Sequence, residues 1–394
     1  MGKGNERDFI MRIAINTLSV LPNRNGGGEV FIKNLIRHLI ANDKINTYVL
    51  LVNKRNRSIF EEIEDQVQFA EAHEITSKPH YRILYESVYL PFRLKALNID
   101  VLVGPADTLP LLNFTKTVLV IQNIKYFQKE REQRPANLLG RIKQIYFGNL
   151  TPRSIVAADR VIAVSEETSR NIVSFSDKLE ACESKISIIY EGVHHSFESV
   201  GSAPPEGDIL CVSSFAKHKN IDKLIHLYMH MKETRHIRNK LRIVGNKNHE
   251  EARRLEQLIR ERNMGEDIIF EGFVPNEELP GYYHRASVFI TLSSLESFGL
   301  PIVEAMTCGV PVLVNDASVM PEIISGHGVL LTDIEDLEKT SRQVYELLSD
   351  KGKLEHYSAL SLKRARDFSW DTAAKQYIEV FESLKSSGIQ VQAQ

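Results

Sequence analysis

The chain has little cysteine, no excess charge of either sign and no long apolar run, and each lack removes a class of protein. Its three cysteines, Cys182, Cys211 and Cys308, lie far apart and without metal-type spacing. That excludes a disulfide framework and favours reduced, buried thiols. With 49 basic and 51 acidic residues the net charge is −2, so no global field draws the chain toward nucleic acid. No apolar stretch approaches the roughly 20 residues that span a bilayer, so any membrane contact is expected to be peripheral. Residues Met1 to Ile10 lack the apolar centre of a signal peptide. A cytoplasmic protein is therefore expected, at the inner face of the membrane if it meets one at all. Internal repeats and low-complexity tracts are absent. Neither half opens with the full glycine fingerprint of a dinucleotide site, which argues against a dehydrogenase.

What is present is ordinary globular composition, 43 % hydrophobic and 25 % charged, over 394 residues. That length exceeds what one core usually organises and points to two domains. From Met11 onward short β-branched runs alternate with amphipathic stretches, the pattern of parallel sheets covered by helices. Strands are expected at Arg12–Asn16, Thr47–Val52, Val101–Val103, Thr117–Ile121, Arg160–Val164 and Ile186–Tyr190. A helix is expected over Glu29–Ile40, and Ser165 stands where a helix cap belongs. The segment 199–208, SVGSAPPEGD, has no periodicity and reads as a linker. It divides a domain at 11–198 from a second at 209–365. Strands resume at Ile209–Val212, Lys240–Val244, Ile268–Glu271, Val288–Thr291, Pro311–Val314 and Gly328–Leu331. The chain closes on an amphipathic helix within 366–385, with Ala373, Tyr377, Val380 and Phe381 on one face. In open α/β sheets ligands bind beyond the C-terminal strand ends, and two such domains leave a cleft where the site is expected.

The chemistry concentrates in Val288–Gly309, VFITLSSLESFGLPIVEAMTCG. A buried strand leads to a loop with one acid, Glu296, and then Gly299-Leu300-Pro301 opens a helix carrying a second acid, Glu304. Gly299 lets the backbone approach a ligand, and Pro301 sits where a missing N–H costs nothing. The helix N-terminus offers free N–H groups, which together make an anion site fit for a diphosphate. A carboxylate at Glu304 can accept hydrogen bonds from a vicinal diol such as ribose, and Glu296 can hold sugar hydroxyls beyond the phosphates. Taken alone, both acids are equally well explained as helix-start residues that favour the dipole.

The run Glu296-Ser297-Phe298-Gly299-Leu300-Pro301-Ile302-Val303-Glu304, continuing through Gly309-Val310-Pro311-Val312, closely resembles the donor-site signature of the retaining GT-B glycosyltransferases of family 4. The resemblance implies an α/β, GT-B architecture: two Rossmann-like domains facing across a cleft, the first binding acceptor and the second binding a nucleotide-sugar, with the last helix returning to the first domain. Residues 212–220, VSSFAKHKN, resemble the family's phosphate-binding loop, with Lys219 in the position of its lysine. Phe270-Glu271-Gly272-Phe273-Val274 resembles the turn that reads the donor base, although Phe273 is equally readable as core. Gly26-Gly27-Gly28 resembles the family's glycine turn near phosphate and acceptor. Tyr85-Glu86-Ser87 and Leu90-Pro91 resemble, more loosely, the branch that builds bacterial surface polysaccharides.

Two positions depart from the family pattern. Gln122-Asn123 stands where the family places His-Asp, so sugar contact is retained but no proton charge can be carried. Ser214 replaces a frequent arginine, leaving Lys217 as the other cation near the phosphates. The resemblance implies hexose transfer, without metal or cofactor, from a UDP- or GDP-linked donor to a glycan or lipid-linked acceptor. Lys219, Glu296 and Gln122 would act on the reacting end. Glu304, Gly299, Leu300, Phe298, Phe273, Val274, Lys217, Ser214, Gly27 and Gly28 would hold the donor. Two alternatives stay open: a catalytically silent nucleotide-sugar-binding subunit, and a nucleotide-sugar epimerase on the same architecture.

Overall fold

The computed structural model describes residues 10–20, 26–127, 138–197 and 203–386. Most of the polar N-terminal segment and residues 199–202 of the expected linker lie outside these. The chain divides into two compact units, residues 1–192 with 370–394, and residues 193–369.

The first unit is built on a seven-stranded parallel sheet: β1 (Arg12–Asn16), β2 (Thr47–Asn53), β3 (Gln68–Ala72), β4 (Val101–Gly104), β5 (Lys116–Ile121), β6 (Arg160–Ala163) and β7 (Ile186–Ile188). Its spatial order is β3-β2-β1-β4-β5-β6-β7. Central strands are covered on both faces, so Ile13, Ala14, Ile15 and the whole run Val118–Ile121 are buried without alternation. Six of these strands coincide with the apolar runs in the sequence. The seventh, β3, reads QFAEA, has one open edge, and is too polar for a run-based reading to find. Ser165 caps the helix Glu166–Val173, its Oγ accepting from the Thr168 N–H at 3.0 Å.

Residues Trp370–Ser386 form a helix that belongs to this first unit and packs on the helix Gly26–Asn42. Ala373, Tyr377, Val380 and Phe381 are its buried face. At its start the Trp370 ring meets Phe31 edge-on, centroids 5.5 Å apart. Asp371 Oδ1 lies 2.9 Å from both His38 Nδ1 and Asn42 Nδ2.

The second unit repeats the plan with six parallel strands: β8 (Asp208–Val212), β9 (Leu241–Val244), β10 (Ile268–Gly272), β11 (Ala286–Thr291), β12 (Val312–Asn315) and β13 (Val329–Leu331), in the order β10-β9-β8-β11-β12-β13. Every residue of β11 and β12 is buried. This unit begins at Val193, ahead of the Ser/Gly/Pro segment that composition marks as a linker. The reason is packing: the Phe197 carbonyl accepts from Cys308 Sγ at 3.1 Å, and the Pro204 carbonyl accepts from Ser287 Oγ at 2.5 Å. The described part of that segment is therefore fastened to the second sheet. In both sheets the strand order reverses beside the first strand, which makes the C-terminal strand ends there the place where a ligand is bound in such folds.

Candidate active site

At the C-terminal ends of β8, β10 and β11, three loops of the second unit carry the residues singled out there in the sequence. The loop after β11 is anchored on both sides. Asn220 Nδ2 donates to the Leu292 carbonyl at 2.7 Å, and Asn315 Nδ2 donates to the Ser293 carbonyl at 3.0 Å. The Ser294 N–H donates to the His218 carbonyl at 2.7 Å, tying this loop to the turn after β8. Ser318, in the left-handed region after β12, fixes the backbone of Glu296 from the other side. Its hydroxyl donates to the Glu296 carbonyl at 2.8 Å and accepts from the Glu296 N–H at 3.2 Å.

These anchors set Glu296 against Lys219. Lys219 closes the short turn Lys217–Lys219, and its Nζ donates to Glu296 Oε1 at 2.6 Å, both side chains being about four-fifths buried. An ammonium has three donors, so two remain for a ligand, and Glu296 keeps its second oxygen. Lys217, on the same turn, is exposed, as is Ser214.

Gly299 has φ +83, a left-handed conformation that glycine adopts without strain, and begins the helix Leu300–Thr307. The first bond there runs from the Ile302 N–H to the Gly299 carbonyl at 2.9 Å, so the helix does not use the N–H groups of Gly299 and half-buried Leu300. Phe298 is different from its neighbours in the motif. Its ring is buried, edge-on to Phe368 at 5.7 Å, so the ring serves the core and offers no face to a ligand.

Glu304 sits one turn into that helix instead of in its first turn, and is buried. Its Oε2 accepts from the hydroxyl of fully buried Tyr283 at 2.7 Å, so one of the two oxygens expected to meet a diol is already occupied. Burial pushes the Glu304 carboxyl up to about 7, against the lowering effect of the Tyr283 hydrogen bond. The Tyr283 hydroxyl is raised well above its usual value, first by burial and then by Glu304.

Phe273 follows β10 and is 70 % exposed, which removes its reading as core, while Val274 beside it is buried. Gly272, at φ +83, turns the chain there. The aromatic face is thus left open at the strand ends, where stacking on a base is chemically available.

Sequence reading missed several parts of this arrangement. Ser318, Asn315 and Tyr283 lie outside the motif and are joined to it only by folding. Gly245, after β9, has a steric reason to be glycine: a Cβ there would lie 1.9 Å from the Ser213 carbonyl oxygen. No local pattern announces that approach.

In the first unit the equivalent strand ends hold Gln122. The buried Asp107 carboxylate accepts from the N–H groups of Gln122 and Asn123 at 2.7 and 3.1 Å and from Asn123 Nδ2 at 2.5 Å. Asn123 is thereby committed to the fold, whereas the Gln122 amide makes no hydrogen bond among the described residues. Gly27 and Gly28 form the first turn of the helix Gly26–Asn42 instead of a turn ahead of it, and the space where their side chains would stand is open. Among the described residues no group of three or more His, Cys, Asp or Glu is placed to hold a metal ion.

Comparison with known proteins gives this geometry a context. Residues 25–197 match the family described as Glycosyltransferase Family 4, and residues 194–364 match Glycosyl transferases group 1. An O-antigen chain mannosyltransferase B from Escherichia coli is 32 % identical over 179 residues, 45 % of this chain and 46 % of that protein. The chain spans about half the length of that relative, and about a third of the length of serotype-specific mannosyltransferases of Escherichia coli to which it is 26 % identical. Among solved structures, sucrose-phosphate synthase from Thermosynechococcus elongatus superposes with a TM-score of 0.73 at 18 % identity, covering 96 % of this chain and 100 % of that one. HepE of Anabaena, in complex with UDP-glucose, superposes with a TM-score of 0.68 at 17 % identity, covering 95 % of this chain and 100 % of that one. At such identities the likeness is one of fold, and it is the GT-B fold of two Rossmann-like units.

Proposed function

We propose, from the premise that the chain belongs to the family 4 type of glycosyltransferase, that it moves a hexosyl group from a nucleoside diphosphate to an acceptor hydroxyl with retention of configuration, in the synthesis of a bacterial surface polysaccharide. The observation that carries this reading is the Lys219–Glu296 pair, at 2.6 Å, which sets a cation from the turn after β8 against the loop that leads into Gly299 and Glu304. Along the chain Glu296, the N–H groups of Gly299 and Leu300 and the buried Glu304 carboxyl follow one another, an order that suits the sugar, phosphates and ribose of a nucleotide-sugar, with Lys219 beside Glu296 to meet the phosphate charge. The mannosyltransferase relative supports a hexosyl group, and a UDP- or GDP-linked hexose is the donor proposed.

In the proposed reaction the bond between the anomeric carbon and the donor phosphate oxygen breaks, and a bond from that carbon to the acceptor oxygen forms on the same face. The acceptor proton passes to the departing phosphate. Negative charge grows on the diphosphate, so the groups that accelerate the step are Lys219 and the N–H groups of Gly299 and Leu300. Glu296 orients the sugar hydroxyls and holds Lys219 in place. Glu304 takes the ribose diol with its remaining oxygen, and Phe273 offers a face to the base. In the first unit Gln122 and the helix start at Gly27 and Gly28 are assigned to sugar and acceptor.

A second reading, a silent nucleotide-sugar-binding subunit, draws on exposed, uncharged Ser214 and on Gln122, which cannot carry charge. The two are separated by incubating the purified protein with labelled UDP- and GDP-hexoses. Release of nucleoside diphosphate by wild type and its loss in Lys219→Met supports transfer. Tight binding without any turnover favours the silent subunit.

A further inference from the structure

The surface of the first unit carries an apolar face that the proposed reaction does not use. Residues Pro79–Ala96 run as one helical stretch, with a wider π turn at Tyr85–Tyr89. One side of it is anchored: Leu90 and Leu94 are buried in the core. The other side turns Leu84, Val88, Tyr89 and Phe92 outward, each more than half exposed. The loop before β5 adds Leu111 and Phe114, exposed to the same degree, and the rings of Phe92 and Phe114 stand 5.4 Å apart. Single exposed hydrophobic residues need no explanation, but a contiguous group on one face does.

Along the helical stretch itself the outward charges have one sign. Between Lys78 and Leu97 there are four Lys and Arg residues and a single acid, Glu86. Glu86 turns inward, where its Oε1 accepts from Asn16 Nδ2 at 2.8 Å and lies 3.9 Å from Arg82. Exposed Lys78 and Lys95 stand at the two ends of the apolar row. Outward apolar and aromatic side chains flanked by lysines, with the one acid withdrawn, match an interfacial helix resting on negatively charged headgroups. Pairing with a second copy fits less well, because two such helices packed antiparallel would set lysine against lysine with no outward acid on the helices themselves to compensate. No helix among the described residues is long and apolar enough to cross a membrane, so the contact is one of surface docking.

We infer that this face, Leu84, Val88, Tyr89 and Phe92 with Leu111 and Phe114, docks the first unit on an anionic lipid bilayer. The test is flotation of the full chain with vesicles of phosphatidylcholine alone and of phosphatidylcholine mixed with phosphatidylglycerol. Wild type floats with the mixed vesicles, less with the neutral ones, and the partition falls as salt is added. Leu84→Gln with Phe92→Gln lowers the partition coefficient on the order of tenfold or more. Lys78→Glu with Lys95→Glu lowers it on mixed vesicles only, by at least about fivefold per lysine. Thermal unfolding followed by circular dichroism is expected to match wild type in both variants, since all four side chains are exposed. The inference fails if wild type stays with the soluble fraction on all vesicles, or if the glutamine variant floats undiminished. It fails equally if wild type is a dimer that the glutamine variant dissociates, which would assign the face to a second copy. No readout depends on a sugar donor, so this result and that for the proposed reaction stand apart.

Discussion

Lys219 Nζ and Glu296 Oε1 lie 2.6 Å apart, joining the turn after β8 to the loop after β11. The pair neutralises itself without ligand and leaves two ammonium donors and one carboxylate oxygen unspent. A diphosphate would add negative charge beside Lys219, and a sugar hydroxyl would donate to Glu296. Lys219→Met is expected to lower turnover of a nucleotide-sugar on the order of 10² to 10³-fold. Because each partner positions the other, the double variant with Glu296→Gln should lose less than the product of the single losses. Steady-state kinetics on the four proteins measures the coupling, and strictly multiplicative losses would contradict it.

Glu304 provides a pH signature. A diol donates to the ionised carboxylate, and the carboxyl stands at about 7 through burial. Binding of a free nucleoside, which has no titrating phosphate, should therefore tighten as pH rises from below 7 to above it and should release a proton. Calorimetry in buffers of different ionisation enthalpy reads the proton directly. In Glu304→Gln the release should vanish. Equal affinity across that range in wild type would contradict the assignment.

Glu191 gives a separate effect on stability. It is buried at the end of the first unit's sheet, and burial pushes its carboxyl up to about 8. A carboxyl raised in the folded state favours folding while it is protonated, so this contribution is complete below the ordinary carboxylate range and is lost as pH rises through about 8. Glu304 acts in the same direction up to about 7. The melting temperature should fall from pH 5 to pH 9, and Glu191→Gln should shrink the fall. An unchanged pH profile in that variant would show that Glu191 is ionised at no cost.

Gly245 makes the steric prediction. Gly245→Ala places a methyl group 1.9 Å from the Ser213 carbonyl oxygen, so the backbones after β8 and β9 must separate. A loss of at least about 2 kcal/mol is expected, as for overpacking against an unyielding neighbour. Gly265→Ala, with nothing within 4 Å, is the control and should be near neutral. Denaturant titration of both proteins decides the matter, and equal stabilities would be inconsistent with the close approach.

How much of this could be read before folding depends on where each signal resides. Strands covered on both faces are continuous apolar runs, and twelve of the thirteen stand at runs visible in the sequence. The edge strand β3, polar on its open side, does not. Glu296, Gly299 and Glu304 are legible because one loop and one helix carry all three. Phe298 and Phe273 could not be told apart by type: one ring is buried against Phe368 and the other is exposed, and only packing decides which. Ser318, Asn315 and Asp107 serve by reaching backbone groups brought near by the sheet, and nothing adjacent to them in the chain marks that duty. The unit boundary at Val193 was hidden because a Pro- and Gly-rich segment resembles a linker whether or not its carbonyls are fastened.

The central claim is that the strand ends of the second unit hold a nucleoside-diphosphate hexose through Lys219, Glu296 and Glu304. Isothermal titration of the full chain with UDP- and GDP-linked hexoses, beside Lys219→Met and Glu304→Gln variants of unchanged melting temperature, tests it most directly. The account predicts saturable binding of at least one donor by wild type and its loss in both variants. Binding that survives both substitutions undiminished would contradict it.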